Sequence, residues 1–261
     1  NEYMSPLSYG GHGTHVAGTA VGNKISTTYK DIPVQLSGVA PAAYLMVYKA
    51  LYSKPDCTGG TGSNIMLMEA LEHAVNDGAD VINNSWGGSA GSDPASSPYK
   101  TMFEAAEAAG VVVVSAAGND GNNVRSYPAG YTSVMMIGAN DANNAIADFS
   151  QFPSCASGKG KNATNDETIC VEVTAGGVDT LSTYPADGAT SSSLYAGSTA
   201  FASSAMENAG SASGSTYFMG LATATDSGAA GKVCVIDRGT VSFHDKVKNC
   251  EDSGGIGAVI I

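Results

Sequence analysis

The sequence predicts an α/β fold built on a mainly parallel sheet, followed by the start of a small second unit. Three observations carry this. Between residues 12 and 138, short apolar runs alternate with stretches whose apolar residues recur every three or four positions. The 261 residues are 43% hydrophobic and 14% charged, with 33 glycines, which suits a tightly packed globule rather than a fibrous chain. After about residue 150 the helical spacing gives way to Ser, Thr, Ala and Gly, and a strand-helix-strand pattern returns only near residue 232.

The elements follow in order. His12 sits at a tight glycine turn that leads into a helix. Ala43-Tyr44-Leu45-Met46-Val47-Tyr48 reads as a buried strand. Asn64 to Asn76 places Ile65, Met68, Leu71 and Val75 on one helical face. Asp80 to Ser85 is a strand, and Thr101 to Ala109 is an alanine-rich helix closed by Gly110. Val111-Val112-Val113-Val114 reads as a fully buried strand, and Val134 to Ile137 as another. Strands alternating with helices predict parallel pairing, with function at the carboxyl ends of the strands. In the second region Lys232 to Ile236 is a strand, Asp237 to Gly239 a turn, Phe243 to Asp252 a helix, and Gly257 to Ile261 the last strand. The expected division is residues 1–185 and 186–261.

Charge and composition exclude several functions. Twelve Lys and Arg face 24 Asp and Glu, a net charge of -12. Nucleic acid and acidic lipid surfaces both require a basic face, so neither is an expected partner. No apolar run approaches the roughly 18 residues of a membrane span. Asn1-Glu2-Tyr3-Met4 reads as the interior of a longer gene product. Five cysteines lack a Cys-x-x-Cys pair, so zinc and redox readings are weak. Cys155 with Cys170 and Cys234 with Cys250 are spaced as two local disulfides, which imply an oxidising compartment, and Cys57 is left over. Asn162-Ala163-Thr164 is a glycosylation sequon.

The candidate chemistry begins at His12-Gly13-Thr14-His15-Val16-Ala17-Gly18. Imidazole titrates near neutral pH, which suits a proton shuttle. Taken alone, His12 is equally a structural residue, or with His15 a weak metal motif that lacks the Glu of a zinc-peptidase helix. Asn119, in Gly118-Asn119-Asp120-Gly121 after a buried strand, is either a turn residue or an amide donor at a strand end.

Four segments resemble, in the same order, the motifs of the subtilisin-like serine peptidases. They are Gly11 to Gly18, Gly38-Val39-Ala40-Pro41, Val81 to Gly88, and Val111 to Asn119. The resemblance implies a three-layer α/β fold and hydrolysis of peptide bonds through an acyl-enzyme. It implies that His12 is the general base and that His15 packs in the helix. Asn119 becomes the oxyanion donor, and Ser85, Trp86, Gly87, Gly88 and Gly118 line the substrate cleft. Trp86 stands where the family usually has an aliphatic residue, so it either alters the pocket or simply packs. The family's Asp-Thr/Ser-Gly and Gly-Thr-Ser-Met-Ala-x-Pro motifs have no match here. Gly197-Ser198-Thr199-Ala200 is the nearest string to the second, and no proline follows Pro185. Residues 231–261, including Gly231 to Gly239 and Phe243-His244-Asp245-Lys246-Val247, resemble a protease-associated (PA) domain, a small α+β insert of some secreted subtilases.

The resulting expectation is a secreted, monomeric serine endopeptidase acting on polypeptides and needing no cofactor for its chemistry. Structural calcium is compatible with the family, but no ligand set is evident and no metal residues are assigned. The alternative is a non-catalytic subtilase-like protein that binds peptides.

Overall fold

A computed structural model describes residues 11–29, 31–53, 60–89, 97–157, 164–185, 193–201, 203 and 210–261. Cys57 and Asn162 lie outside the described residues. The chain divides into two compact units, the second holding the described residues from 193 on.

The first unit holds helices α1 (His12–Val21), α2 (Asn64–Asn76) and α3 (Pro98–Ala108). Its parallel sheet comprises β1 (Val81–Asn84), β2 (Val112–Ala116), β3 (Met135–Asn140) and β4 (Val173–Gly176), in the order β4-β3-β2-β1. Each helix has a readable local cause. Ser63 caps α2, its Oγ accepting from Met66 N at 3.2 Å. Pro98 in the first turn starts α3 three residues before the spacing predicts, because its fixed φ suits that position. Leu71 of α2, Phe103 and Ala106 of α3, and Val113 of β2 meet in one core with Val111, Tyr131 and Val134. Removing such side chains from water stabilises the unit by about 1.5–3 kcal/mol each for the large ones.

Helix α1 is tied down at its C-terminus and along one side. At its C-terminus, Val39 N and Ala40 N donate to the carbonyls of Thr19 and Ala20, at 3.0 and 2.9 Å, which have no partner inside the helix. The Gly-Val-Ala-Pro segment is therefore a C-terminal cap. Along its side α1 packs against residues 180–184. Ser182 Oγ donates to His15 O and Thr183 Oγ1 to Thr14 O, at 2.9 and 2.8 Å. A Cβ at Gly18 would lie 2.0 Å from Thr183 Oγ1, so only glycine permits this approach.

Two expectations need correction. Residues 43–48 do not form a strand. A strand exists only when its backbone groups pair across a ladder, and the described sheet ends at β1 with nothing pairing to this segment. Tyr44, Leu45, Met46 and Val47 are exposed, and Tyr48 instead donates its hydroxyl to Asp77 Oδ2 at 2.5 Å. Nor is the valine strand buried throughout. Val113 is 3% exposed but Val112 is 48% exposed, so the two faces of β2 differ.

The second unit has its own parallel sheet, β5 (Thr216–Phe218), β6 (Val233–Ile236) and β7 (Gly257–Ile260), with α4 (Phe243–Asp252) linking β6 to β7. Its core joins Ala222, Ala229, Cys234, Ile236 and Cys250. A disulfide joins Cys234 on β6 to Cys250 on α4. Lys246 is fully buried beneath them and donates to Leu221 O at 2.5 Å. Ser198 occupies the turn of a hairpin formed by Leu194–Ala196 and Thr199–Phe201.

Candidate active site

Neighbouring parallel strands β1 and β2 leave the sheet at the same edge, and the segments that follow them diverge around a cleft. Asn84 pairs with Ser115 at this end, and Ser115 Oγ donates to Asn84 O at 3.0 Å. The exit of β1 supplies Ser85, Trp86, Gly87 and Gly88 to one wall, and the exit of β2 supplies Gly118 and Asn119 to another. The cavity between them measures about 280 Å³. A depression at the carboxyl ends of parallel strands is the usual place for a ligand in this architecture.

The loop after β2 is fixed from below. Ser126 is buried and donates its hydroxyl to Ala117 O at 2.6 Å. Gln151, only 3% exposed, donates Nε2 to Val124 O at 2.7 Å and its backbone N–H to Gly118 O at 3.1 Å. Gly118 has φ of +114°, and a Cβ there would lie 1.8 Å from Gln151 Oε1. The fold thus demands glycine immediately before Asn119. Asn119 itself is exposed, and its side-chain amide makes no hydrogen bond among the described residues, leaving its N–H groups available at the cleft.

The opposite wall is also held. Gly88 and Ser89 pair antiparallel with Tyr127 and Ser126. Ser85 Oγ accepts from Asn83 Nδ2 at 2.9 Å. Trp86 both lines the cavity and packs on Tyr99, with ring centroids 6.2 Å apart. Its two sequence readings are therefore compatible. Burial pushes the Tyr99 phenol above its ordinary range, with Tyr131 adding to the effect.

His12 opens α1, is exposed, and does not line this cavity. His15, one turn on, is half-buried and donates Nε2 to Thr180 O at 3.1 Å. That bond belongs to the packing of α1. The structure brings together the cleft-lining residues expected from sequence and adds Ala116 and Asp120 beside them, and Val124, Arg125, Ser126 and Gln151. Sequence reasoning missed Val124, Arg125, Ser126 and Gln151 because no motif marks them; the one signal was nearness in sequence to Gly118, and Gln151 lacked even that. Among the described residues no three His, Cys, Asp or Glu side chains converge to hold a metal, and His244 lies beside Asp245 alone. No described helix is long and apolar enough to cross a membrane.

Comparison with known proteins places this geometry. The pattern that defines the subtilase family matches residues 1–223. The chain belongs to the subtilase family. The PA domain pattern matches residues 186–261. Subtilisin DY of Bacillus licheniformis is 37% identical over 185 residues, covering 69% of this chain and 56% of its own length. Subtilisin Savinase of Lederbergia lenta is 39% identical over 189 residues, covering 70% of this chain and 56% of its own. The subtilase chain thus spans little more than half the length of the curated relatives it matches. Among solved structures, the prenylagaramide maturation protease PagA aligns with a TM-score of 0.45 at 28% identity, covering 55% of this chain and 47% of its own. Membership of the family carries its α/β fold with a mainly parallel sheet, as the four strands of the first unit show.

Proposed function

We propose that this chain is the histidine- and oxyanion-bearing part of a subtilisin-like serine endopeptidase that cleaves polypeptides through an acyl-enzyme. The observation that carries the reading is the cleft at the exits of β1 and β2, which the unengaged Asn119 lines together with Ser85–Gly88. In acyl transfer, attack on the carbonyl carbon moves negative charge onto the carbonyl oxygen. A pre-positioned amide N–H stabilises that oxyanion more than it stabilises the ground-state carbonyl, and so lowers the barrier. His12 takes the proton of the attacking serine hydroxyl and returns it to the departing amine. Ser85 to Gly88 offer backbone for an extended substrate, whose side chain before the scissile bond enters the cavity.

In this reading residues 1–185 are catalytic-domain sequence and residues 186–261 belong to a PA domain. The protein is secreted and acts as a monomer. Its two disulfides suit an oxidising compartment. Calcium, where present, is structural, and none of the described residues is assigned to it.

The test is a serine-directed fluorophosphonate probe applied to the protein expressed from its native reading frame and to the 261-residue chain alone. Labelling of the former, lost with His12→Ala, supports the proposal. Absence of labelling together with retained peptide binding supports the non-catalytic alternative. Labelling of the 261-residue chain itself would show that the nucleophile lies within it.

A further inference from the structure

The disulfide of the first unit lies close in space to the cleft, and one side chain connects them. Arg125, between the cleft residues Val124 and Ser126, donates Nε to Ile169 O at 2.7 Å and Nη2 to Ser154 O at 3.1 Å. Ile169 precedes Cys170 and Ser154 precedes Cys155, and those cysteines are bonded to each other. One planar guanidinium therefore spans the two carbonyls that flank the disulfide, a geometry for which its fork of donors is suited. Its stem is equally confined. A Cβ at Gly130 would lie 2.4 Å from Arg125 Cδ.

Besides its pairing with Ser89, the Val124–Ser126 wall is held by three side chains. Gln151 Nε2 holds the Val124 carbonyl, Ser126 Oγ holds Ala117 O, and Arg125 holds the wall from behind. The first two anchor it to the exit of β2. The third anchors it to a separate segment whose shape the disulfide fixes. We propose that Arg125 is a positioning residue that transmits the Cys155–Cys170 crosslink to the cleft wall and so sets the width of the specificity pocket. This rests on the serine endopeptidase reading for its effect on substrates, but the strut itself does not.

Without the crosslink the Ser154 and Ile169 carbonyls are no longer held at a spacing one guanidinium can bridge. The wall then keeps its strand pairing and its anchors to the exit of β2 but loses its tie to the crosslinked segment, and yields more readily to side chains of different size. The pocket loses its preference between a large and a small residue before the scissile bond, rather than its chemistry. Lysine cannot replace Arg125, since a single ammonium head cannot span both carbonyls in the same plane.

The experiment compares Arg125→Leu, Arg125→Lys, Cys155→Ser/Cys170→Ser, and the combination of the first and third. Trp86 is the chain's one tryptophan and lines the cleft, so acrylamide quenching of its fluorescence reads the pocket directly. The expected result is a rise in quenching in every variant, with the combined variant no higher than either parent, because both act through one strut. In the protein expressed from its native reading frame, the ratio of kcat/KM for Phe over Ala before the scissile bond falls about three- to tenfold. Far-ultraviolet circular dichroism like that of wild type accompanies these changes, and if Arg125→Leu does not fold, Arg125→Lys decides. Additive quenching in the combined variant, or unchanged quenching in Arg125→Leu, would overturn the strut. Altered quenching with an unchanged ratio would overturn its role in specificity. If the wild type cleaves no peptide, the proposed function fails, and quenching still decides whether the strut exists.

Discussion

Gly118→Ala tests the local architecture of the oxyanion segment most sharply. The backbone at this position has φ of +114°, which costs about 1–2 kcal/mol for a residue with a Cβ. The new methyl would also lie 1.8 Å from Gln151 Oε1 and 2.5 Å from its Cδ. Gln151 has nowhere easy to go. It is buried, and its Nε2 satisfies the Val124 carbonyl. Displacing it breaks that bond at a further cost of about 1–3 kcal/mol. The sum, about 2–5 kcal/mol, lowers Tm by on the order of 10 °C for a unit of this size. Urea unfolding followed by Trp86 fluorescence measures it, because the single tryptophan lies in the first unit and reports that unit alone. Gly88→Ala, in the same cleft, is the control. A Cβ there meets nothing within 4 Å, so its expected effect is under about 1 kcal/mol. Adding Gln151→Ala to Gly118→Ala should cost little beyond Gly118→Ala alone, because that variant has already lost the bond from Gln151 to the Val124 carbonyl. A Gly118→Ala cost no larger than that of Gly88→Ala would refute the reasoning.

Three other outcomes are expected. Replacing Cys155 and Cys170 by Ser opens a crosslink of sequence separation 15 and lowers the stability of the first unit by about 3 kcal/mol in the chain-entropy model, read by the same urea titration. Lys246 is held below its ordinary value near 10.5, chiefly by burial, so the unfolded chain binds its proton more tightly than the folded unit does. The stability of the second unit should therefore rise with pH between that lowered value and about 10.5, and Lys246→Met should remove this rise, as hydrogen exchange of β6 and β7 at several pH values will show. The Asp141 carboxylate is held below its usual range, first by the Ala145 N–H and next by that of Asn143. Its stabilisation is complete above about pH 4 and is lost as pH falls through the lowered value, so Asp141→Asn should flatten that part of the acid unfolding curve.

Much of the fold was legible because its signals are local. The spacing of Leu71 and Val75, the closure of α3 by Gly110 and the valines of β2 each act within a few residues. The two disulfides followed from spacing, and both are formed. The cleft segments were reached through the resemblance of four ordered motifs to the subtilase pattern, not from spacing alone. Residues 43–48 misled for the opposite reason. Their apolar run has the composition of a strand, but pairing is a property of two segments, and no described segment pairs with this one. The strut at Arg125 was invisible for the same cause. Its partners are the carbonyls of Ser154 and Ile169, and backbone carbonyls carry no identity in a sequence. Gln151 could not be foreseen either, since its role comes from a hydrogen bond across 27 positions to Val124.

The most direct measurement is steady-state cleavage of a peptide p-nitroanilide by Asn119→Ala beside wild type, both expressed from the native reading frame. A donor that acts only on the developing oxyanion should lower kcat by about 10²–10³, the size of loss known for the corresponding donor in subtilisin, while KM changes little. A kcat within about threefold of wild type would contradict the assignment of Asn119 to the oxyanion, and with it the reading of this cleft as a peptidase site.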